Sequence, residues 1–379
     1  MLNSFAPPFK LVGIYFVFAL MHLLTFSFLL FKFNLDSAYF KAFLHSFFAA
    51  FALNVIIASL YQLSSVAYEK AFISIKMSLI FALIFNIFIC VLLYGFYSAN
   101  YSLCFKSAIF ICIALFYFIF LFLLSFYKIK NLTQMLLYCA VVYLFLGLCA
   151  AFCIFAFYNL YIEIEYEIFL YYHIYFMLGF VFFTSMGAAL MLLPMFSLNH
   201  KSPIILVKIS FILYFLAIFH LAIFAYLAMI VFAIWVLILL KNRVRKKLDY
   251  WNINVIFSAL CLIFTSILCF LKYYNLAILS LIFGVLLPFI VAHMYKILPF
   301  LIWYHFIAKF VGKCKVPLLT DMVKEKLANI CILLNVFCFI SVLFFKDFLA
   351  YFWLIFLLLL FINMINIFTF IKYKGEKND

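Results

Sequence analysis

Long apolar runs fill this chain from end to end, and only short polar gaps separate them. A helix that crosses a bilayer needs about 20 apolar residues. The runs predict helices over 11–32, 41–63, 77–97, 107–127, 134–157, 168–195, 204–220, 222–241, 252–271, 274–298, 324–346 and 348–371. That makes twelve spans. The stretch 203–241 holds no Gly or Pro after its first residue. As one helix it would be about 58 Å long, far beyond a bilayer core. A break near His220 is therefore expected.

Composition gives the same picture. Apolar residues make up 72% of the chain and charged ones 10%, whereas soluble domains run near half apolar and a quarter charged. The sequence reads as an all-α integral membrane protein, one polytopic domain over 1–379 whose first partner is the lipid bilayer. The net charge of +15 does not imply a nucleic-acid partner, because the basic residues sit singly or in small groups between the apolar runs. With twelve spans, 21 of the 26 basic residues fall on the side that holds both termini, which marks that side as cytoplasmic. Lys32, Lys41, Lys106, Lys272 and Lys346 fall outside, as does the acidic run Glu163, Glu165, Glu167. Fusing the seventh and eighth spans would put the basic cluster at 241–247 on the wrong side. The first span has no small-residue cleavage site after it and reads as a retained helix. Residues 299–312, apolar and aromatic, are expected as a short segment lying in the cytoplasmic interface. The 58 Phe and 26 Tyr match the bias of an A/T-rich coding sequence. The 11 Cys show no C-x-x-C pair and no zinc spacing.

Three spans end alike. The second closes on Leu60-Tyr61-Gln62-Leu63, the sixth on Leu190 to Pro194, and the tenth on Met294-Tyr295-Lys296-Ile297-Leu298-Pro299. In the last two a His follows six residues after the Pro, at His200 and His305. Each ending falls four spans after the one before it. This suggests three parallel four-helix arcs over 11–127, 134–241 and 252–371.

Charges inside a bilayer are costly, so those retained suggest function. All 11 Asp and Glu fall in loops or at span ends, so the bilayer core holds no carboxylate, and no G-x-S-x-G, H-E-x-x-H or P-loop is present. Histidine remains. His45 lies about four residues into the second span and His173 about five into the sixth, and both spans run inward. At about 1.5 Å per residue they share one depth, some 6–8 Å below the outer surface. His220 lies near that level, as do Cys149 and Cys153, while Met177 is one turn below His173. Neutral imidazole ligates heme iron and copper, and soft sulfur favours reduced copper. His22, His293 and Lys296 are further intramembrane polar groups, and His293 lies roughly 21 Å deeper than His45. Gly179 and Gly187, eight apart on nearly one face, would admit a neighbouring helix or a planar macrocycle.

These residues resemble a known family. Twelve spans in three arcs, with histidines on the second and sixth, are similar to the catalytic subunit I of heme–copper oxidases and nitric oxide reductases. The stretch His45 to Leu63 resembles their second helix. His173, Gly179-Phe180, Gly187-Ala188, Leu193-Pro194-Met195-Phe196 and His200 resemble the sixth, and also the NnrS-type heme and copper membrane proteins. His293 to His305, followed by Gly312 and Val316-Pro317, resembles the subunit I-like proteins most. The resemblance implies a low-spin heme position at His45, a copper position at His173, a place in a bacterial inner membrane, and other respiratory membrane subunits as partners. The chain departs from the family too. His220 has no adjacent His, and His293 is followed by Met294 and Tyr295. A full binuclear centre and proton pumping are therefore not expected.

The leading expectation is a protein that binds heme b or copper near its outer face. Its ligands would be His45 and His173, with His220 as a third candidate. Its role would lie in respiration, nitric oxide response or metal handling, with catalytic turnover left open. The alternative is a secondary transporter or lipid-linked sugar flippase, whose only candidate helix break is Gly284 with Pro288. A third is a non-catalytic partner of a membrane complex.

Overall fold

The computed structural model describes residues 5–32, 39–199, 201–244 and 246–375. His200 and Arg245 lie outside the described residues. The described residues form helices and no strand. We number the helices α1 (Phe9–Phe31), α2 (Phe40–Ala67), α3 (Ser78–Tyr97), α4 (Tyr101–Ser125), α5 (Leu132–Tyr158), α6 (Tyr166–Ser197), α7 (Ile204–Phe219), α8 (Ala222–Lys241), α9 (Tyr250–Phe270), α10 (Tyr274–Phe310), α11 (Glu325–Phe344) and α12 (Lys346–Lys372). All but α7 are long and apolar enough to cross a membrane. The chain is a multi-pass all-α membrane protein.

Helix starts follow from side chains that take unpaired backbone amides. Asn100 accepts from the Leu103 amide at α4, Asn131 from that of Gln134 at α5, and Asp249 from that of Asn252 at α9. The long apolar stretch breaks where expected. A 3₁₀ turn over Ala217–Phe219 ends α7, and His220 follows in the left-handed conformation at φ 62°. No Gly or Pro makes this break. Tyrosines of α6 stabilise it by taking the carbonyls that the end of α7 frees. The Tyr171 hydroxyl donates to Ala217 O, and that of Tyr175 to Tyr214 O at 3.1 Å.

Two helices contain π turns. α2 carries a π segment over Ser46–Ala52, and α10 carries two, over Leu281–Leu286 and Trp303–Ile307. A π turn holds an extra residue and leaves backbone groups out of register. In lipid those groups must be paired internally. In α2, Asn54 Nδ2 donates to Ala50 O at 2.6 Å. In α10 the amide five residues after Phe283 would belong to Pro288, which has none. Asn335 Nδ2 of α11 donates to that carbonyl at 3.3 Å. Beyond Pro299, residues 299–310 continue α10 as helix, so the segment expected to stand apart in the interface is the end of a 37-residue helix.

The chain forms two compact units, Met1–Phe196 with Val207–Ala228 and Ser197–Leu206 with Met229–Asp379. In the first, α1 packs along α2, α3 pairs with α4, and α4 with α5. A buried polar network ties three helices together. Asn86 Oδ1 of α3 accepts from His22 Nε2 of α1 and from Asn54 Nδ2 of α2, both at 2.9 Å. In the second unit, α9 packs along α10, and α11 pairs with α12.

The small-residue face of α6 is filled by neighbouring helices. A Cβ on Gly187 would come within 2.8 Å of Leu137 of α5. One on Gly179 would overlap the Tyr143 ring of α5 and lie 2.9 Å from Tyr214 of α7. This is helix packing and leaves that face no room for a macrocycle. Gly179→Ala should therefore lower stability by about 1–3 kcal/mol. Unfolding of the purified protein in mixed detergent micelles reads this, and an unchanged midpoint would contradict the packing.

Candidate functional site

Lys41 and His45 lie one turn apart in the first turns of α2, before its π segment. The Lys41 ammonium reaches the hydroxyls of Tyr101 and Tyr158 at 3.4 Å each and lies 5.2 and 4.9 Å from their ring centroids. These two rings stack at 4.7 Å, so among the described residues the cation is held by oxygen and π-density.

His45 turns inward from Lys41. Its ring lies 4.6 Å from Phe96 of α3, which in turn lies 5.8 Å from Phe155 of α5. His45 Nδ1 is 2.8 Å from Lys41 O. His173 of α6 makes the same kind of bond to the next helix, its Nδ1 lying 3.0 Å from Gly147 O of α5. A carbonyl only accepts, so Nδ1 is the protonated nitrogen of each ring. In the neutral imidazole the lone pair then sits on Nε2, and neither Nε2 has a hydrogen-bond partner among the described residues. The two rings are close enough for the charge of one to be felt at the other, and Lys41 is within the same reach of His45. Met177 packs on the Gly147 that fixes His173, its Sδ falling 2.7 Å from where a Cβ of Gly147 would stand. Two imidazoles are thus fixed through Nδ1, each with an open Nε2, and metal-ligating histidines are likewise held through one ring nitrogen while the other stays available.

The other expected residues lie elsewhere. His220 is exposed, stacks on Tyr171 at 4.3 Å and meets the Tyr172 hydroxyl through Nε2 at 3.1 Å. No group of three or more His, Cys, Asp or Glu side chains converges among the described residues. Cys149 lies within electrostatic range of Cys112 of α4 and of Cys153. His22 is spent on Asn86. In the second unit His293 is buried, donates Nδ1 to Phe289 O at 2.8 Å and faces Trp251 edge-on at 6.0 Å. Its Nε2 is buried without a partner.

Lys296, expected as an intramembrane polar group, is paired. It reaches Asp249 at 2.8 Å and lies 5.0 Å from the Tyr250 ring centroid. Sequence reasoning missed this partner because Asp249 was read only as a helix-end residue. It also missed Asn54 and Asn86, since only ionisable groups were sought within the spans. An Asn inside an apolar run is itself a signal, because its amide needs a partner in lipid.

No family model matches this chain, and a search of the curated proteins gives no match.

Asp249 gives a pH prediction. Burial alone would raise its carboxyl. The bond to Lys296, the two bonds from Asn252 and the charge of Lys296 outweigh that and hold it below the ordinary 3.8. A carboxyl depressed in the folded state stabilises the fold above its unfolded pKa, and this is lost as pH falls through the folded one. The pair is about a quarter to a third exposed, so its contribution is up to about 1 kcal/mol. Asp249→Asn should lower thermal stability at pH 7, and the gap from the parent should close as pH drops below the carboxylate range. A gap that persists unchanged below that range would contradict the assignment.

Proposed function

We propose that this chain is a divergent heme–copper-oxidase-like protein of a bacterial inner membrane. In it His45 and His173 hold a heme b iron or a copper ion near the outer face. The observation that carries this reading is the pair of imidazoles from α2 and α6, within electrostatic range, each fixed through Nδ1 and open at Nε2. The donor set fits the group. Both ligands are neutral nitrogen donors, no third His, Cys, Asp or Glu converges with them among the described residues, and Met177 adds a soft thioether on the His173 side. Iron or copper held there would supply one-electron chemistry, consistent with a role in respiration, nitric oxide response or metal handling. His220 is left out of the ligand set because Tyr172 occupies its Nε2.

The chain's own residues supply orientation and charge. Lys41 O and Gly147 O hold the two rings in the tautomer that leaves the lone pair facing a ligand. The Lys41 ammonium, one turn away among tyrosines, places a positive charge at the mouth of the site.

A second reading, a secondary transporter or lipid-linked sugar flippase, has one observation in its favour. Carriers bind at interrupted helices in repeated bundles, and both α2 and α10 are interrupted by π segments.

The test is the heme and copper content of full-length protein, purified from cells that supply both. The reading expects about one heme or one copper per chain, falling to about a tenth or less in both His45→Ala and His173→Ala. A colourless, copper-free parent protein that moves a solute in vesicles would overturn it in favour of transport.

A further inference from the structure

His45 sits immediately before the π segment of α2, and that junction decides where the imidazole points. Each residue of an α-helix advances about 100° around the axis. The extra residue in a π turn therefore rotates everything before it by about that amount relative to everything after it. The inner half of α2 is fixed by Tyr61, fully buried, and by Asn54. The outer half, Phe40–His45, thus takes its direction from the π turn. An unbroken α-helix would carry His45 round to another face.

The π turn is held in place. Asn54 Nδ2 takes the carbonyl of Ala50, inside the turn, at 2.6 Å. Asn86 Nδ2 donates to Asn54 Oδ1 at 3.1 Å, and Asn86 Oδ1 accepts from both Asn54 and His22. All three side chains are buried. The turn is thus closed from within α2 and braced from α3 and α1.

An independent observation shows that this device is not a local accident. The separation of 234 residues that relates Tyr61 to Tyr295 also relates the last π residues, Ala52 and Leu286, and the fully buried Ser46 and Ser280. In α10 the turn is also braced by an Asn from the helix that follows, here directly, with Asn335 of α11 donating to Phe283 O. At the position of His45 this register puts Leu279, which is buried. The second turn has the same build without the imidazole.

We infer that the π turn Ser46–Ala52, closed by Asn54 and braced by Asn86, is the element that aims His45 at His173, so that Asn54 and Asn86 are positioning residues for the ligand pair. The inference rests on the proposed function for its purpose but not for its geometry. Its test is therefore cofactor-free. Full-length protein carrying His45→Cys and His173→Cys is treated with a short bifunctional thiol reagent, and the joined peptides are read by mass spectrometry. The native Cys112 and Cys149, also neighbours, report on the fold in the same sample. The 45–173 link is expected to form. Deleting Ala49 should remove it at least about fivefold while the 112–149 link persists. Asn54→Ala, which keeps the chain length, should weaken it in the same direction. A 45–173 link undiminished by both changes overturns the positioning role, whatever the cofactor content. A link that depends on the π turn in a protein that binds neither heme nor copper supports the positioning role and sinks the cofactor reading alone.

Discussion

In lipid a backbone carbonyl has no water to turn to, and the structure depends on this constraint. At three departures of this chain from the α pattern, a side chain donates to a backbone carbonyl. Tyr171 and Tyr175 do so at the end of α7, Asn54 at the π turn of α2, and Asn335 at that of α10. The same economy forms the candidate site. His45 and His173 spend Nδ1 on the carbonyls of Lys41 and Gly147, which leaves Nε2 of each ring uncommitted. Satisfying the backbone is therefore also what fixes the tautomer.

Much of the fold was legible in the sequence. Span length and the positive-inside rule forced a break within an apolar stretch that has no Gly or Pro, and His220 in the left-handed conformation is where it falls. The tyrosines that stabilise that break are on α6, distant in sequence, and no local pattern announces them. The π turns were not legible either. Periodicity in a run apolar on every side is nearly silent, so one extra residue leaves no trace. Gly284 and Pro288 hinted at the turn in α10. Nothing comparable marks the turn in α2 except Asn54 inside an apolar run.

The site divides in the same way. The expectation of equal depth for His45 and His173 comes from counting residues along two helices read as running inward. Depth does not say which way a ring faces, and His220 shows the cost. It was expected at the same level, yet its position after the turn sends it to Tyr171 and Tyr172. Lys296 was likewise read without its partner, since Asp249 is 47 residues away in sequence. Azimuth and long-range pairing depend on how helices pack, which a single apolar sequence does not encode visibly.

The central claim is that the Nε2 atoms of His45 and His173 hold one metal centre between them. The most direct measurement is an electron cryo-microscopy map, at side-chain resolution, of full-length protein purified from cells that supply heme and copper. The account predicts density joining the two imidazoles, either a single strong peak or a planar macrocycle. Two bare rings with a clear gap between them, in protein that is otherwise well ordered, would contradict it.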